Sequence, residues 1–229
     1  MATWRVECCD CLDFLRTLPA GSVDAVVTDP PYNAVNRPIG KMRSCRSMDK
    51  GSADSASVDI EALAEQFVRV CRGSFYVWCS TEQAGEWRRA FQTRRLTTRQ
   101  CAWIRTNPSP LNCEKFWLSG MELCIFARKP NAVFHRFFEV PVWHGSAERV
   151  DGFPCPKPVW LIKELVDAST DFGATVLDPF AGSGTTGVAC IQTGRNFVGC
   201  EIDAGYAEIA RRRCREAEES VALFAGVQV

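Results

Sequence analysis

Three features of the sequence predict an α/β fold built on a mainly parallel sheet with helices on both faces. Short apolar runs alternate along the chain with segments of helical periodicity. Two of these runs end on an acid and a loop, VVTDPPY at 26–32 and TVLDPFAGSG at 175–184. A third, NFVGCE at 196–201, ends on Glu201 about twenty residues past the glycine turn, the order of a nucleoside-binding βαβ unit.

The elements follow in order. A strand around Trp4 to Cys8 leads into a helix from about Leu12 to Leu18, broken at Pro19-Ala20-Gly21. Val23 to Thr28 is a strand stopped by two prolines. Residues 33–57 lack apolar periodicity and are expected to be a long mobile loop. Helix 60–71, strand 74–79 and helix 81–91 come next, then strands near 100–105 and 122–127. Residues 128–155 carry aromatics and short β-like pieces. A helix from about Val159 to Ala168 precedes strand 174–177, the glycine turn, helix 186–193, strand 196–200 and a terminal helix from Tyr206 to about Ser220. One domain over residues 1–229 is the expectation.

No apolar run has the length of a membrane span, and the first residues do not resemble a secretory signal, so a cytoplasmic protein is expected. Thirteen cysteines mostly sit inside apolar stretches, and Cys8 and Cys11 form a C-x-x-C with no second pair or histidine cluster at zinc spacing. Reduced thiols and no metal site are expected. Net charge is zero but uneven: ten Lys and Arg face two acids between Trp87 and Arg136, and five face Asp49 between Asn36 and Lys50. Such segregation suits a polyanion on one face.

The loop after the second strand is stiff and carries two acceptors, the Asp29 side chain and the Pro30 carbonyl, beside the flat ring of Tyr32. That set suits a planar ligand with hydrogens to donate. In the other loop, Gly182-Ser183-Gly184-Thr185-Thr186-Gly187 has the formal spacing of a dinucleotide fingerprint, which keeps NAD open. Asp178 at the strand end would repel a pyrophosphate and welcome a cationic, amine-bearing ligand. S-adenosylmethionine carries both a sulfonium and an α-amino group.

Together, D-P-P-Y and F-x-G-x-G resemble the amino-methylating DNA methyltransferases. The resemblance runs from VECCDCLDFLRTLPAGSVDAVVTDPPYN to GYAEIARRR, and PCPKPVWLIKELV is similar to the family's segment before the cofactor strand. The order, DPPY first, looks like the permuted β class. The resemblance implies a Rossmann-like methyltransferase fold with one antiparallel strand. It implies catalysis by Asp29, Pro30, Pro31 and Tyr32. The S-adenosylmethionine site would take Asp10, Cys11, Asp29, Lys157, Asp178, Pro179, Phe180, Gly182, Ser183, Gly184, Thr185, Glu201 and Ile202. Asp10 would meet the adenine and Glu201 the ribose.

For double-stranded DNA, the basic segment immediately after the catalytic loop offers Arg37, Lys41, Arg43 and Arg46, placed to close over a flipped nucleotide. CAWIRTNPSPLN is similar to a family segment and adds Arg105 and Asn107, and Arg136 lies in the expected target-recognition insertion at 128–153. A homodimer and a cognate restriction enzyme are further partners it implies, with association with the nucleoid in a bacterial or phage setting.

The chemistry agrees. An exocyclic N6 is a poor nucleophile until acceptors bind its hydrogens and localise its lone pair, which a rigid Asp29–Pro30 pair can do. Tyr32 offers a stacking surface for a flipped base. Cytosine N4, an RNA adenine and a non-catalytic nucleic-acid-binding protein are the alternatives. Simpler roles also stand: Asp10 as a helix N-cap, Glu201 as a helix cap, Lys157 as a solvated residue between prolines, and Trp143 and His144 as core or surface.

Overall fold

The computed structural model describes residues 2–32, 58–108, 114 and 117–226. The loop expected at 33–57, with Arg37, Lys41, Arg43 and Arg46, lies outside the described residues. Among the described residues the order is β1 (Trp4–Cys8), α1 (Cys11–Thr17), β2 (Val23–Thr28), α2 (Ile60–Val70), β3 (Cys71–Cys79), α3 (Thr81–Thr93), β4 (Thr97–Arg105), β5 (Met121–Arg128), β6 (Val142–Gly145), α4 (Val159–Ser169), β7 (Thr175–Asp178), α5 (Thr185–Gln192), β8 (Asn196–Glu201) and α6 (Ala204–Gly226).

The strands form one sheet in the order β1-β8-β7-β2-β3-β5-β4-β6. Neighbours are parallel except at β5, which runs antiparallel to both β3 and β4. β5 therefore begins where the parallel strands end, with Leu123 opposite Cys79. Because β2 lies beside β7, the loops that follow them open into one cleft, although about 150 residues separate them in sequence.

Side chains alternate between two cores. Val26, Phe75 and Val77 face the layer of α1, α2 and α3, and Ala25, Val27, Tyr76 and Trp78 face α4 to α6. α2 buries Ile60, Leu63, Ala64, Phe67 and Val70, one stripe at helical spacing, and Asp59 caps it by accepting from Ala62 N–H. Phe67 stacks on Trp87 of α3 at 5.9 Å between ring centroids. Each of these aromatic rings contributes about 2–3 kcal/mol by burial.

Several boundaries differ from the sequence expectation. β3 starts at Cys71, directly after α2, where Arg72-Gly73 suggested a break. The pairing with β2 slips between Val23 and Ala25, and a side chain at Gly73 would collide with the Asp24 carbonyl. The glycine marks an irregularity inside a strand, not a loop. α6 starts at Ala204, two residues early, because the Asp203 side chain accepts from Tyr206 N–H at 2.9 Å. Within 128–153, the strand β6 extends the central sheet beside β4, and Val150 bridges Phe153. Trp143 is half-buried against the second core and His144 is exposed.

Candidate active site

A cleft of about 1130 Å³ opens at the carboxyl ends of the parallel strands. Asp29 to Tyr32 line it on one side and Asp178 to Ser183 on the other. Asp10, Cys11, Thr185, Glu201, Ile202, Arg105 and Lys157 also reach it. The two motifs read separately from the sequence thus share one site.

The glycine turn is fixed from below. Gly182 and Gly184 have φ of +50° and +79°, a region that strains other residues. A Cβ on Gly184 would lie 2.7 Å from Ala210 Cα, so this glycine lets α5 and α6 approach. Glu201 accepts from Gly182 N–H at 2.9 Å and, on its other oxygen, from Asp203 N–H at 3.0 Å. It therefore staples the turn to β8 while facing the cleft, and the helix-cap role falls to Asp203. Arg213 on α6 donates to Ser183 Oγ at 3.0 Å and to Thr185 Oγ1 at 3.2 Å, tying both residues down.

Asp178 is buried and engaged by the protein itself. Oδ1 accepts from Thr28 Oγ1 at 2.7 Å and from Phe180 N–H at 3.1 Å, and Oδ2 accepts from Thr186 Oγ1 at 2.7 Å. Burial pushes its pKa up to about 6 against these three donors. Through these bonds Asp178 joins β2 to α5. Asp10 lines the cleft and caps α1, its Oδ1 accepting from Leu12 N–H at 2.8 Å and Asp13 N–H at 3.1 Å. Beside it, burial and then Asp10 raise the Cys11 thiol to about 11, so it stays neutral.

In the loop after β2, Tyr32 donates its hydroxyl to Asp29 Oδ1 at 2.7 Å, and Lys157 donates to Asp29 Oδ2. Lys157 also donates to Tyr32 Oη at 3.1 Å and pairs with Glu122 at 3.1 Å. Its ammonium lies 5.4 Å from the Trp78 ring centroid and 5.6 Å from that of Tyr32. With 9 % of its side chain exposed, Lys157 is no solvated residue between prolines. Burial alone would lower its pKa, but Asp29, Tyr32 and Glu122 outweigh burial and push it well up. Asp29 is raised by burial, opposed by Lys157 and reinforced by Glu122. It keeps 30 % exposure toward the cleft, so solvent softens the burial effect. Gln83 of α3 donates to the Pro31 carbonyl at 3.1 Å and holds the loop from beneath.

The nucleic-acid candidates separate. Arg105 lines the cleft and pairs with Glu122 at 3.2 Å. Asn107 is exposed and pairs with the Ala147 backbone, accepting from its N–H at 2.8 Å and donating to its carbonyl at 3.3 Å. Arg136 pairs with Glu164 at 2.9 Å and does not line the cleft. Sequence reasoning missed Glu122, Gln83, Thr28 and Trp78. Thr28 carried a signal, preceding Asp29 at a strand end. Glu122 carried none, since only the reversed direction of β5 brings it to the cleft.

A family model described as DNA methylase matches residues 76–212. The chain is 29 % identical to the Type II methyltransferase M2.DpnII of Streptococcus pneumoniae, over 92 % of this chain and 89 % of the relative. It is 28 % identical to the DNA adenine methyltransferase YhdJ of Escherichia coli K12, over 89 % and 80 %. A solved complex of M1.HpyAVI with S-adenosylmethionine superposes with a TM-score of 0.73 at 22 % identity, covering 93 % of this chain and 99 % of that one.

Proposed function

The chain belongs to the DNA methylase family, and from that premise we propose that it transfers a methyl group from S-adenosylmethionine to the N6 of an adenine flipped out of duplex DNA. The observation that carries this reading is the meeting of Asp29-Pro30 and the glycine turn in one cleft. The choice of adenine over cytosine is supported by the D-P-P-Y form of the loop and by the relative named as an adenine methyltransferase.

The donor set fits S-adenosylmethionine. Asp10 and Glu201 present carboxylates at the ends of β1 and β8 for adenine and ribose, and Asp29 and Asp178 give an acidic field that suits a cation and repels a pyrophosphate. S-adenosylmethionine supplies an electrophilic methyl group on its sulfonium. The protein's own residues do the rest. Asp29 and the Pro30 carbonyl accept the two amine hydrogens and localise the nitrogen lone pair. The amine replaces the Tyr32 hydroxyl on Asp29 Oδ1, and the Tyr32 ring stacks on the extruded base. The surplus proton leaves the nitrogen after transfer.

The relative named as a Type II methyltransferase supports a cognate restriction endonuclease as a partner, and a homodimer belongs to the same reading. DNA as the substrate supports a cytoplasmic setting in association with the nucleoid. No helix among the described residues is long and apolar enough to cross a membrane. Labelled methyl transfer to mixed-sequence duplex DNA, followed by digestion and mass identification of the nucleoside, tests the proposal. N6-methyladenine is expected. N4-methylcytosine, or label on RNA alone, would overturn the choice of substrate.

A further inference from the structure

Four charges alternate along the cleft wall: Arg105, Glu122, Lys157 and Asp29. Arg105 meets one oxygen of Glu122 at 3.2 Å and Lys157 meets the other at 3.1 Å. The ammonium donates to Asp29 Oδ2 and Tyr32 Oη and forms an ion pair with Glu122 Oε2. All of these groups are mostly covered: Lys157 is 9 % exposed, Glu122 19 %, Arg105 25 % and Asp29 30 %. The geometry fixes the ammonium between two carboxylates.

Building on the function proposed above, we propose that Glu122 is a positioning residue for methyl transfer: it holds Lys157 against a second carboxylate, so that the ammonium is shared and the lone pairs of Asp29 stay available to the target amine. An ammonium facing one carboxylate would commit to it and weaken it as an acceptor. A second carboxylate divides that pull, and Arg105 holds the second carboxylate in place. With two acids and two bases the cluster is neutral, which lowers the cost of keeping it in a covered site.

The titratable groups facing Asp29 are Tyr32 from its own loop, Lys157 ahead of α4, Glu122 and Cys124 on β5, Cys79 at the end of β3 and Asp178 at the end of β7. Burial raises both thiols, Cys79 to about 12, so neither ionises in the working range. Asp178 is common to every variant below and cannot produce shifts of opposite sign.

The test is the acid limb of the kcat/KM profile for methyl transfer, which follows ionisation of Asp29 in the unliganded enzyme. Glu122→Gln removes a repulsion, so the limb moves to lower pH. Lys157→Gln removes an attraction, so it moves to higher pH, each by roughly one unit. In both, kcat falls roughly tenfold or more, and Glu122→Asp restores the wild-type limb. Limbs that stay put, or move together, overturn the proposal even where kcat falls, because loosened packing slows a reaction without opposite shifts. If Glu122→Gln loses its thermal transition, Lys157→Gln and Glu122→Asp carry the test: an unmoved limb in the former overturns it. Absence of methyl transfer by the wild-type protein to any nucleic acid would instead overturn the underlying function.

Discussion

Tyr32 donates its hydroxyl to Oδ1 of Asp29 at 2.7 Å, so the ring expected to stack on the base also covers the acceptor the base requires. The two jobs separate by mutation. Tyr32→Phe keeps the stacking face and uncovers Asp29, and activity is expected to stay within about threefold of wild type. Tyr32→Ala loses the stack, worth about 1–3 kcal/mol per base, and KM for DNA is expected to rise roughly ten- to a hundredfold. Steady-state kinetics on one duplex checks both, and equal losses in the two variants would contradict the stacking role.

Gln83 serves two masters. Its side chain completes the capping box of α3 with Ser80, and it donates to the Pro31 carbonyl at 3.1 Å. Gln83→Glu keeps the cap but sets a carboxylate against a carbonyl. The thermal midpoint is expected to change little while kcat falls roughly tenfold. Gln83→Ala loses both bonds and about 1 kcal/mol of stability besides. Calorimetry beside kinetics separates the two effects.

The glycines of the turn are predicted to fail differently. Gly184→Ala would set Cβ 2.7 Å from the Ala210 backbone at a φ of +79°. Backbone cannot yield there, and a loss of about 2 kcal/mol or more is expected in denaturant unfolding. Gly182→Ala meets the Phe153 ring at 2.8 Å. That ring lines the cleft and can turn, so the expected result is a smaller stability loss with a clear drop in S-adenosylmethionine affinity by titration calorimetry.

Asp178 makes stability depend on pH in an unusual sense. Its folded pKa lies near 6 against an ordinary 3.8, so the folded state holds its proton more tightly than the unfolded one. The contribution is fully favourable below the unfolded value and is lost as pH rises through about 6, on the order of 3 kcal/mol in all. The stability of the wild type minus that of Asp178→Asn is therefore expected to fall between about pH 4 and pH 7. A difference that rises over that range in urea unfolding would contradict the assignment.

Much of this could be read in advance, for physical reasons. Asp29 and Asp178 sit at strand ends followed by residues that cannot continue a ladder, so local chemistry marked them as site residues. Continuous apolar runs placed β2 and most of β3, because a central strand is buried on both faces, and a one-faced helical stripe placed α2. Contacts that cross the sheet were not legible. Lys157 has ordinary neighbours in sequence, two prolines, and only the docking of α4 turns it onto Asp29. Glu122 is one acid at the start of a strand, and its role depends on β5 running backwards. The pairing of the exposed Asn107 with the Ala147 backbone is likewise a loop contact that no local pattern announced.

The most direct measurement of the central claim compares wild type with Asp29→Ala. Both are given labelled S-adenosylmethionine and duplex DNA, the product nucleoside is identified by mass, and S-adenosylmethionine binding is measured in parallel. Wild type is expected to form N6-methyladenine, and the variant is expected to bind S-adenosylmethionine yet lose roughly a hundredfold or more of the rate, as when a preorganised acceptor or donor is deleted elsewhere. A variant that still methylates adenine at near the wild-type rate would show that the carboxylate at the end of β2 does not activate the amine.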